Sequence, residues 1–352
     1  MSVPGVLLVG GGAGAAVVGY YLSRIYRFNL LPRYSTDWEM RLYSPDLDMH
    51  GRTLGPYYGD FRKCLHDYDF DEDGIIVLVG GEGNDRVRNY NPCQIAEMAI
   101  IEYENYLRTG DGQHRESFRR HVEWLVRNAT PLGGGKACFY YQYDTPEEKA
   151  PWGSGLAQGM AVSALLRAHE LFGEPEYFQL AREAFALMDA PVEEGGFRYS
   201  GPEFMLWYEE DNHRSHILNG HIYSLFAVHD FFRVTGDPYY RECFERGAET
   251  IKRMIGLFDT GYLTKYQSVD DYPANNSYHY IHITLFEILH RITADPFFGE
   301  CARRFAAYHS NPLYKVPAFL AILKGVLRDK LPWYSGRALA PGPAPAGTLG
   351  NT

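Results

Sequence analysis

From Pro92 onward, apolar residues recur every three or four positions, and the pattern is broken four times by the same kind of punctuation. The breaks are Thr109-Gly110-Asp111-Gly112, Phe172-Gly173-Glu174-Pro175, Thr235-Gly236-Asp237-Pro238 and Thr293-Ala294-Asp295-Pro296. Their second positions are spaced by 63, 63 and 58 residues. A repeat of that period marks an array of supersecondary units. Within each unit the small residue closes one helix, the acidic residue caps the next, and Pro fits its first turn. In the second unit Met160, Ser163, Ala164, Leu165, Ala168 and Leu171 follow helical spacing, and so do Phe178, Ala181, Ala184, Phe185 and Met188. Four helical hairpins are therefore predicted, and the fold class is mainly α. Between them, Ala137 to Tyr143 and Gly196 to Tyr208 alternate over short runs and read as loops or small β-hairpins. In helical arrays such connectors gather at one end, which is where function usually sits.

Before the repeat, residues 37 to 91 are weakly periodic and rich in Tyr, Asp and Gly, with one clear strand at Ile75 to Val79. They read as an extended arm laid across the helices. Gly133 to Lys136 lacks the spacing of a phosphate-binding loop and is followed by Ala137, so a glycine turn into a hairpin is expected. The predicted divisions are an N-terminal hydrophobic segment over 1–28, the arm over 29–91, the helical domain over 92–312, an extension over 313–337 and a disordered Pro/Gly/Ala tail over 338–352.

The stretch from Gly5 to Leu22 is uncharged and is followed by Arg24, Arg27 and Arg33. It has about the minimum length of a membrane-spanning helix, although six glycines interrupt it. Gly10, Gly12 and Ala15 also match the spacing of a dinucleotide fingerprint, but no βαβ unit and no closing acidic residue follow. Of a membrane anchor, a packed N-terminal helix and a nucleotide site, the anchor fits best, and a single-pass, membrane-associated protein is expected. Its topology stays open, although the arginines place the following chain in the cytoplasm.

The 352 residues are 45% hydrophobic and carry a net charge of -10 with no Lys/Arg-rich run. A substantial core is assured, and nucleic acid is a poor partner because phosphate neutralisation needs clustered cations. Cys64, Cys93, Cys138, Cys243 and Cys301 are scattered and odd in number, which suits buried thiols better than a disulfide framework or a metal site. Twenty-eight tyrosines and five tryptophans suit cores and sugar-stacking clefts alike.

Three connectors concentrate polar chemistry. Pro151 to Gly159 combines Trp152, small residues and Gln158; close helix packing explains it as well as a ligand does. Trp207 to Arg214 places Glu209, Glu210 and Asp211 between a Trp-Tyr pair and Leu218-Asn219-Gly220 with Tyr223. Asp259 to His282 holds Lys265, Tyr266, Tyr278, His279 and His282. The two histidines lack a third ligand at metal spacing, and no nucleophile elbow is present. A carboxylate with tyrosines remains, which suits removal of a weakly acidic proton if the site shifts their pKa values.

In separated blocks the chain resembles the D-glucuronyl C5-epimerase family. The blocks are Tyr90-Asn91-Pro92 with Gln94-Ile95-Ala96, Trp124 to Asn128, Gly155 to Gly159, Trp207 to Glu210, Leu218-Asn219-Gly220, Tyr223-Ser224-Leu225, Asp259-Thr260-Gly261, Tyr266 and Tyr278-His279. The resemblance implies an incomplete (α/α) toroid of about four hairpins with short β-hairpin connectors. It makes Glu210, Tyr266 and Tyr278 the catalytic residues, with Asn219, Tyr223 and His279 as substrate contacts. Tyr90, Trp152, Gln158, Glu209, Arg214 and Lys265 complete the candidate substrate-binding set, Arg214 or Lys265 as the cation that meets a sugar carboxylate. The chain departs from the family at Asp211-Asn212, at Gln267-Ser268-Val269, at Asn275 where an arginine is expected, and in lacking a β-sandwich insertion after Leu107.

The expected activity is that of an isomerase converting D-glucuronate to L-iduronate within a heparosan or heparan-type polysaccharide. No metal and no cofactor are expected. The expected partner is the acidic polysaccharide, with a homodimer and membrane anchorage left open and with neither nucleic acid nor a nucleotide cofactor. A polysaccharide lyase of related mechanism and a non-catalytic, membrane-anchored glycan-binding protein are the alternatives.

Overall fold

The computed structural model describes residues 41–42, 47–61, 69–80, 87–145, 148–211, 213–269 and 273–330, with positions 19, 20, 22, 23, 26 and 30. Four hairpins form where the punctuation predicts them. They are α1 (Pro92–Thr109) with α2 (Gly112–Asn128), α3 (Gly155–Phe172) with α4 (Pro175–Met188), α5 (Leu218–Thr235) with α6 (Pro238–Phe258), and α7 (Asn276–Thr293) with α8 (Pro296–Ser310). Gly110, Gly173 and Gly236 end the first helix of their hairpins at φ of 71°, 76° and 71°, a left-handed conformation that costs glycine nothing. Ala294 takes the same position at φ 54°. The Asp111, Asp237 and Asp295 side chains accept the N–H groups of Gln113, Tyr239 and Phe297, which caps the second helices. Glu174 is the exception: it caps nothing, and its carboxylate lies 2.7 Å from Arg119.

Helices α1, α3, α5 and α7 pack on one another in succession, and each outer helix packs chiefly on its own partner. The result is a two-layer, incomplete toroid, mainly helical as the sequence predicts. The middle inner helices are covered on all sides, which explains their unbroken burial from Ala157 to Ala168 and from Leu218 to Phe231. A ninth described helix, α9 (Lys315–Lys330), follows the last hairpin.

The arm fills the seam. Strands β1 (Arg41–Leu42) and β2 (Gly59–Asp60) pair antiparallel and lie against α7; β3 (Asp69–Phe70), β4 (Ile76–Gly80) and β5 (Val87–Asn89) form a small antiparallel sheet whose middle strand touches α1. Between β1 and β2 the chain is fastened by buried charge. Arg167 and Asp230, both fully buried, meet at 2.7 Å; Tyr58 donates to Asp230 at 2.6 Å, and Arg167 donates to the Gly55 carbonyl. Arg233 donates to the carbonyls of Gly51 and Thr53.

Two connectors contain hairpins, β6 (Thr130–Leu132) with β7 (Lys136–Cys138), and β8 (Arg198–Tyr199) with β9 (Trp207–Tyr208). Gly134 and Gly135, at φ of 74° and 70°, make the turn between β6 and β7, so the glycine run is a hairpin turn. Cys93, Cys138, Cys243 and Cys301 are free and buried; Cys64 lies outside the described residues.

The hydrophobic run at 5–22 lies almost wholly outside the described residues, as do the tail at 338–352 and the Gly10 to Ala15 fingerprint. Among the described residues no helix is long and apolar enough to cross a membrane.

Candidate active site

The site grows from the connector between β9 and α5. Trp207 is fully buried, stacked flat on His221 and parallel to Phe258, and Tyr208 donates to Asp189. Glu209 points into the protein, where its carboxylate holds the ring of His216 at 2.5 Å and accepts the His216 N–H. That contact supports a bent backbone in which Arg214 and His216 both have positive φ, 55° and 50°. Alternation turns Glu210 the opposite way, half-buried over the first turn of α5.

Two glycines make this placement possible. A Cβ on Gly155 would stand 2.1 Å from the Glu209 carbonyl oxygen, and one on Gly220 would overlap the Glu210 carboxylate. The Gly155 N–H also donates to the Glu210 carbonyl. The small residues opening α3 and α5 are thus required by close backbone approach.

Tyr266 reaches the same point from the connector before α7. Its segment pairs with residues 215–217: Leu218 N–H donates to the Tyr266 carbonyl, and Ser268 N–H to that of Ser215. Behind it, Thr264 is clamped by His279, which accepts the Thr264 N–H on Nδ1 and donates from Nε2 to the Phe305 carbonyl. Asn275 caps α7 by accepting the Tyr278 N–H, which sets Tyr278 in the first turn. The Tyr266 and Tyr278 rings lie 4.6 Å apart, and Tyr266 donates to Glu210 at 3.3 Å.

Burial governs the electrostatics. It pushes the Glu210 carboxyl up to about 7, helped by the Asp211 charge and opposed by the Tyr266 hydrogen bond. Burial and the Glu210 charge push the Tyr278 phenol up to about 12, while the neighbouring Tyr266 acts to lower it. The Tyr266 phenol is raised well above the ordinary range, first by burial and then by Glu210. A base near neutrality therefore touches a phenol that links it to a second phenol.

The remaining candidates divide. Asn219 is buried beside Gly220, and its Oδ1, like Glu210 Oε2, has no hydrogen-bond partner among the described residues. Tyr223 sits one turn further along α5 against Phe61 and Phe226. Trp152 stacks on Tyr141 with ring centres 3.8 Å apart, and it walls a cavity of about 430 Å³ shared with Lys149, Arg214 and Phe197.

Other candidates are scaffold. Gln158 is fully buried, accepting from Phe139 N–H and donating to the carbonyls of Ala137 and Ala184, so its amide is fully engaged. Glu209 is spent on His216, and His279 on Thr264 and Phe305. Burial holds His279 neutral and pushes the neighbouring His282 down to about 3, with Thr264 Oγ1 2.7 Å from its ring. Arg214 pairs with Glu193 at 2.7 Å on the surface, lies over Tyr199 and lines the cavity beside Trp152. Tyr90 donates to Asp71 and packs on Trp124 outside α1. Lys265 is half-buried and has no ion-pair partner among the described residues.

The structure adds residues that the sequence reading does not contain. Cys93 and Glu97, in the first two turns of α1, and Tyr141 and Tyr143, after β7, join the same electrostatic cluster as Glu210 and Tyr278. Burial pushes the Glu97 carboxyl up to about 7. The only sequence signal for it is a charge one residue past Gln94-Ile95-Ala96.

Residues 134–307 match the family of the D-glucuronyl C5-epimerase C-terminus. Over that stretch the chain is similar to the C-terminal domain of the D-glucuronyl C5-epimerase family. The chain is also 28% identical over 220 residues to a D-glucuronyl C5-epimerase of Caenorhabditis elegans, a match covering 56% of this chain and 35% of the worm protein. Among solved structures it is similar to a GH76 alpha-mannanase of Bacteroides thetaiotaomicron, with a TM-score of 0.48 and 10% identity over 69% of this chain and 63% of that one. A family 76 glycoside hydrolase (mannosidase) from strain VPI-5482 of the same species has a TM-score of 0.48 and 10% identity, covering 87% and 98%. Glu210, Tyr266 and Tyr278 all fall inside the stretch matched to the epimerase family, and Tyr90 and Glu97 precede it.

Proposed function

We propose that this chain is a uronate C5-epimerase, acting on D-glucuronate within a heparosan or heparan-type polysaccharide. The observation that supports the reading is the grouping of Glu210, Tyr266 and Tyr278, in which Tyr266 donates to Glu210 and its ring lies 4.6 Å from that of Tyr278, with a carboxyl poised near neutrality at one end. A proton α to a carboxylate is weakly acidic, and inversion needs one group to remove it and another to return a proton to the opposite face. Glu210 removes the C5 proton, and Tyr278 delivers its phenolic proton to the other face. Tyr266 then passes a proton from Glu210 toward the Tyr278 phenolate, which restores the starting state with no net change.

The cavity beside Trp152 is large enough for a neighbouring sugar, and an aromatic wall suits a sugar face.

The test is incubation of the whole chain in D₂O with glucuronate polymers, unsulfated and N-sulfated, followed by NMR at C5. Deuterium at C5 with iduronate appearing supports the epimerase. A new double bond absorbing in the ultraviolet points instead to elimination by a lyase. Binding without exchange or elimination refutes catalysis.

A further inference from the structure

The contact between Glu210 and Tyr266 is held from both sides by Glu209, which has no part in the proton series above. The Glu209 backbone is fixed: its N–H donates to the Phe197 carbonyl at 2.7 Å, and its own carbonyl lies against Gly155. Glu210 follows directly, so this anchor decides where its side chain begins. The Glu209 side chain is 1% exposed and spends both oxygens on one residue. One oxygen lies 2.5 Å from Nδ1 of the His216 ring, and the other accepts the His216 N–H at 3.1 Å. That ring stacks on Phe204 with centres 4.3 Å apart, and Tyr199 and Trp207 pack around it.

His216 stands where the connector turns to meet the segment of Tyr266. Its φ of 50° is left-handed, a costly conformation for histidine that a buried partner must hold. On either side of it, the Ser215 carbonyl accepts the Ser268 N–H and the Leu218 N–H donates to the Tyr266 carbonyl, with Ile217 opposite Gln267. The segment of Tyr266 is therefore registered against residues 215–218, whose direction His216 sets. Ser215 also donates from Oγ to Asp211, a contact that leaves the His216 dihedral free. The Glu210–Tyr266 contact placed in this way has little slack, because 3.3 Å already exceeds the ordinary O–H···O range. A further displacement of about 0.3 Å would end it.

We propose that Glu209 and His216 are positioning residues, a buried pair that sets the separation of Glu210 from Tyr266 through the pairing of residues 215–218 with 266–268. The two adjacent glutamates thus divide the work: Glu210 faces the cleft and acts, while Glu209 faces inward and holds. The proposal deepens the uronate reading and rests on it for the reaction, whereas the positioning itself is a property of the protein alone.

The experiment labels the glutamate carboxyl carbons of the whole chain with ¹³C, assigns Glu210 by the signal lost in Glu210→Gln, and follows that signal against pH. Glu210 titrates among Asp211, Tyr266, Tyr278, Cys93 and Tyr141, and the substitutions at 216 alter none of these. Glycine and asparagine both tolerate a positive φ, but only asparagine keeps a donor near the position of Nδ1. His216→Gly should raise the Glu210 midpoint by about half a pH unit, as Tyr266→Phe does, because the Tyr266 O–H no longer reaches the carboxylate. It should add nothing in the Tyr266→Phe background, where a direct charge effect of the ring would persist. His216→Asn should restore the midpoint. In parallel, kcat for C5 exchange on a glucuronate polymer should fall about tenfold in His216→Gly with KM within about twofold, and recover in His216→Asn. An unmoved midpoint in His216→Gly, the same movement in the Tyr266→Phe background, or no recovery in His216→Asn overturns the proposal. Should His216→Gly not fold, Glu209→Gln decides: it should raise the midpoint, against the direct effect of losing a negative charge, and an unmoved or lowered midpoint overturns the proposal. If the midpoints move as expected while wild type exchanges no C5 proton on any glucuronate polymer, the positioning stands and the uronate reading falls.

Discussion

Replacing Glu210 by Gln should stabilise the protein at alkaline pH while abolishing its activity. The folded state raises this carboxyl from 4.5 to about 7, mainly through burial. The native protein therefore binds that proton more tightly than the unfolded chain. The stability this contributes is complete below the ordinary glutamate range and is lost as pH rises through about 7. At about 1.4 kcal/mol per unit, the full loss is roughly 3 kcal/mol, and partial exposure brings the expected value to about 1–3 kcal/mol. Glutamine keeps an oxygen to accept the Tyr266 O–H, so that contact of about 1 kcal/mol survives.

The assay is urea unfolding of both proteins at about pH 4 and about pH 8, comparing midpoints at matched slope. Glu210→Gln should equal wild type at the lower pH and exceed it at the higher. Glu97 titrates in the same window, so the comparison is repeated in the Glu97→Gln background. In parallel, C5 exchange should fall by about a hundredfold or more. A stability difference that is flat across this range would refute the argument, because it would mean that Glu210 is not desolvated by folding.

Tyr266→Phe removes the O–H that holds Glu210 down, so the acid limb of the exchange-rate profile should move to higher pH as the rate falls; an unmoved limb would uncouple the two residues. Gly155→Ala sets a methyl 2.1 Å from a backbone oxygen of the catalytic connector, and should cost about 1–3 kcal/mol in unfolding together with most of the activity. Arg167→Ala leaves Asp230 buried without its cation and should cost about 3–5 kcal/mol, with early protease cleavage in the arm between residues 47 and 61; late cleavage would mean that the arm is held by other contacts.

The hairpins are legible in sequence because their ends are specified locally. Gly173, Gly236, Asp237 and Pro238 act through their own backbone dihedrals and nearest N–H groups, and no tertiary information is needed to place them. Ala294 holds the fourth turn in the same conformation, so the pattern tolerates one costly residue. What the sequence cannot show is which polar side chain finds a partner across the fold. Gln158 looks free to bind a ligand until β7 and α4 present the carbonyls that occupy it. Arg214 looks like a site cation until the neighbouring loop brings Glu193 to it. Glu97 shows the converse: a charge on a helix reads as solvated, and here it is half-buried with its carboxyl pushed up by desolvation.

These cases share a geometric cause. Each hairpin turns tightly from inner to outer helix, so the four inner helices run parallel and all begin at the same end of the toroid. Cys93 and Glu97 in α1, Gly155 in α3, Asn219 and Gly220 in α5 and Tyr278 in α7 all lie within the first two turns of their helices. Glu210 and Tyr266 come from the connectors that enter α5 and α7. The opposite end has turns too short to hold chemistry, and their capping residues are engaged in ending and starting helices. Substitutions in the long connectors can therefore change what the cleft admits without disturbing the caps that set the hairpins. Changes at Asp211, Gln267 or Asn275 alter the rim of the cleft, while Gly155 and Gly220 hold the Glu210 backbone and carboxylate in place beneath it.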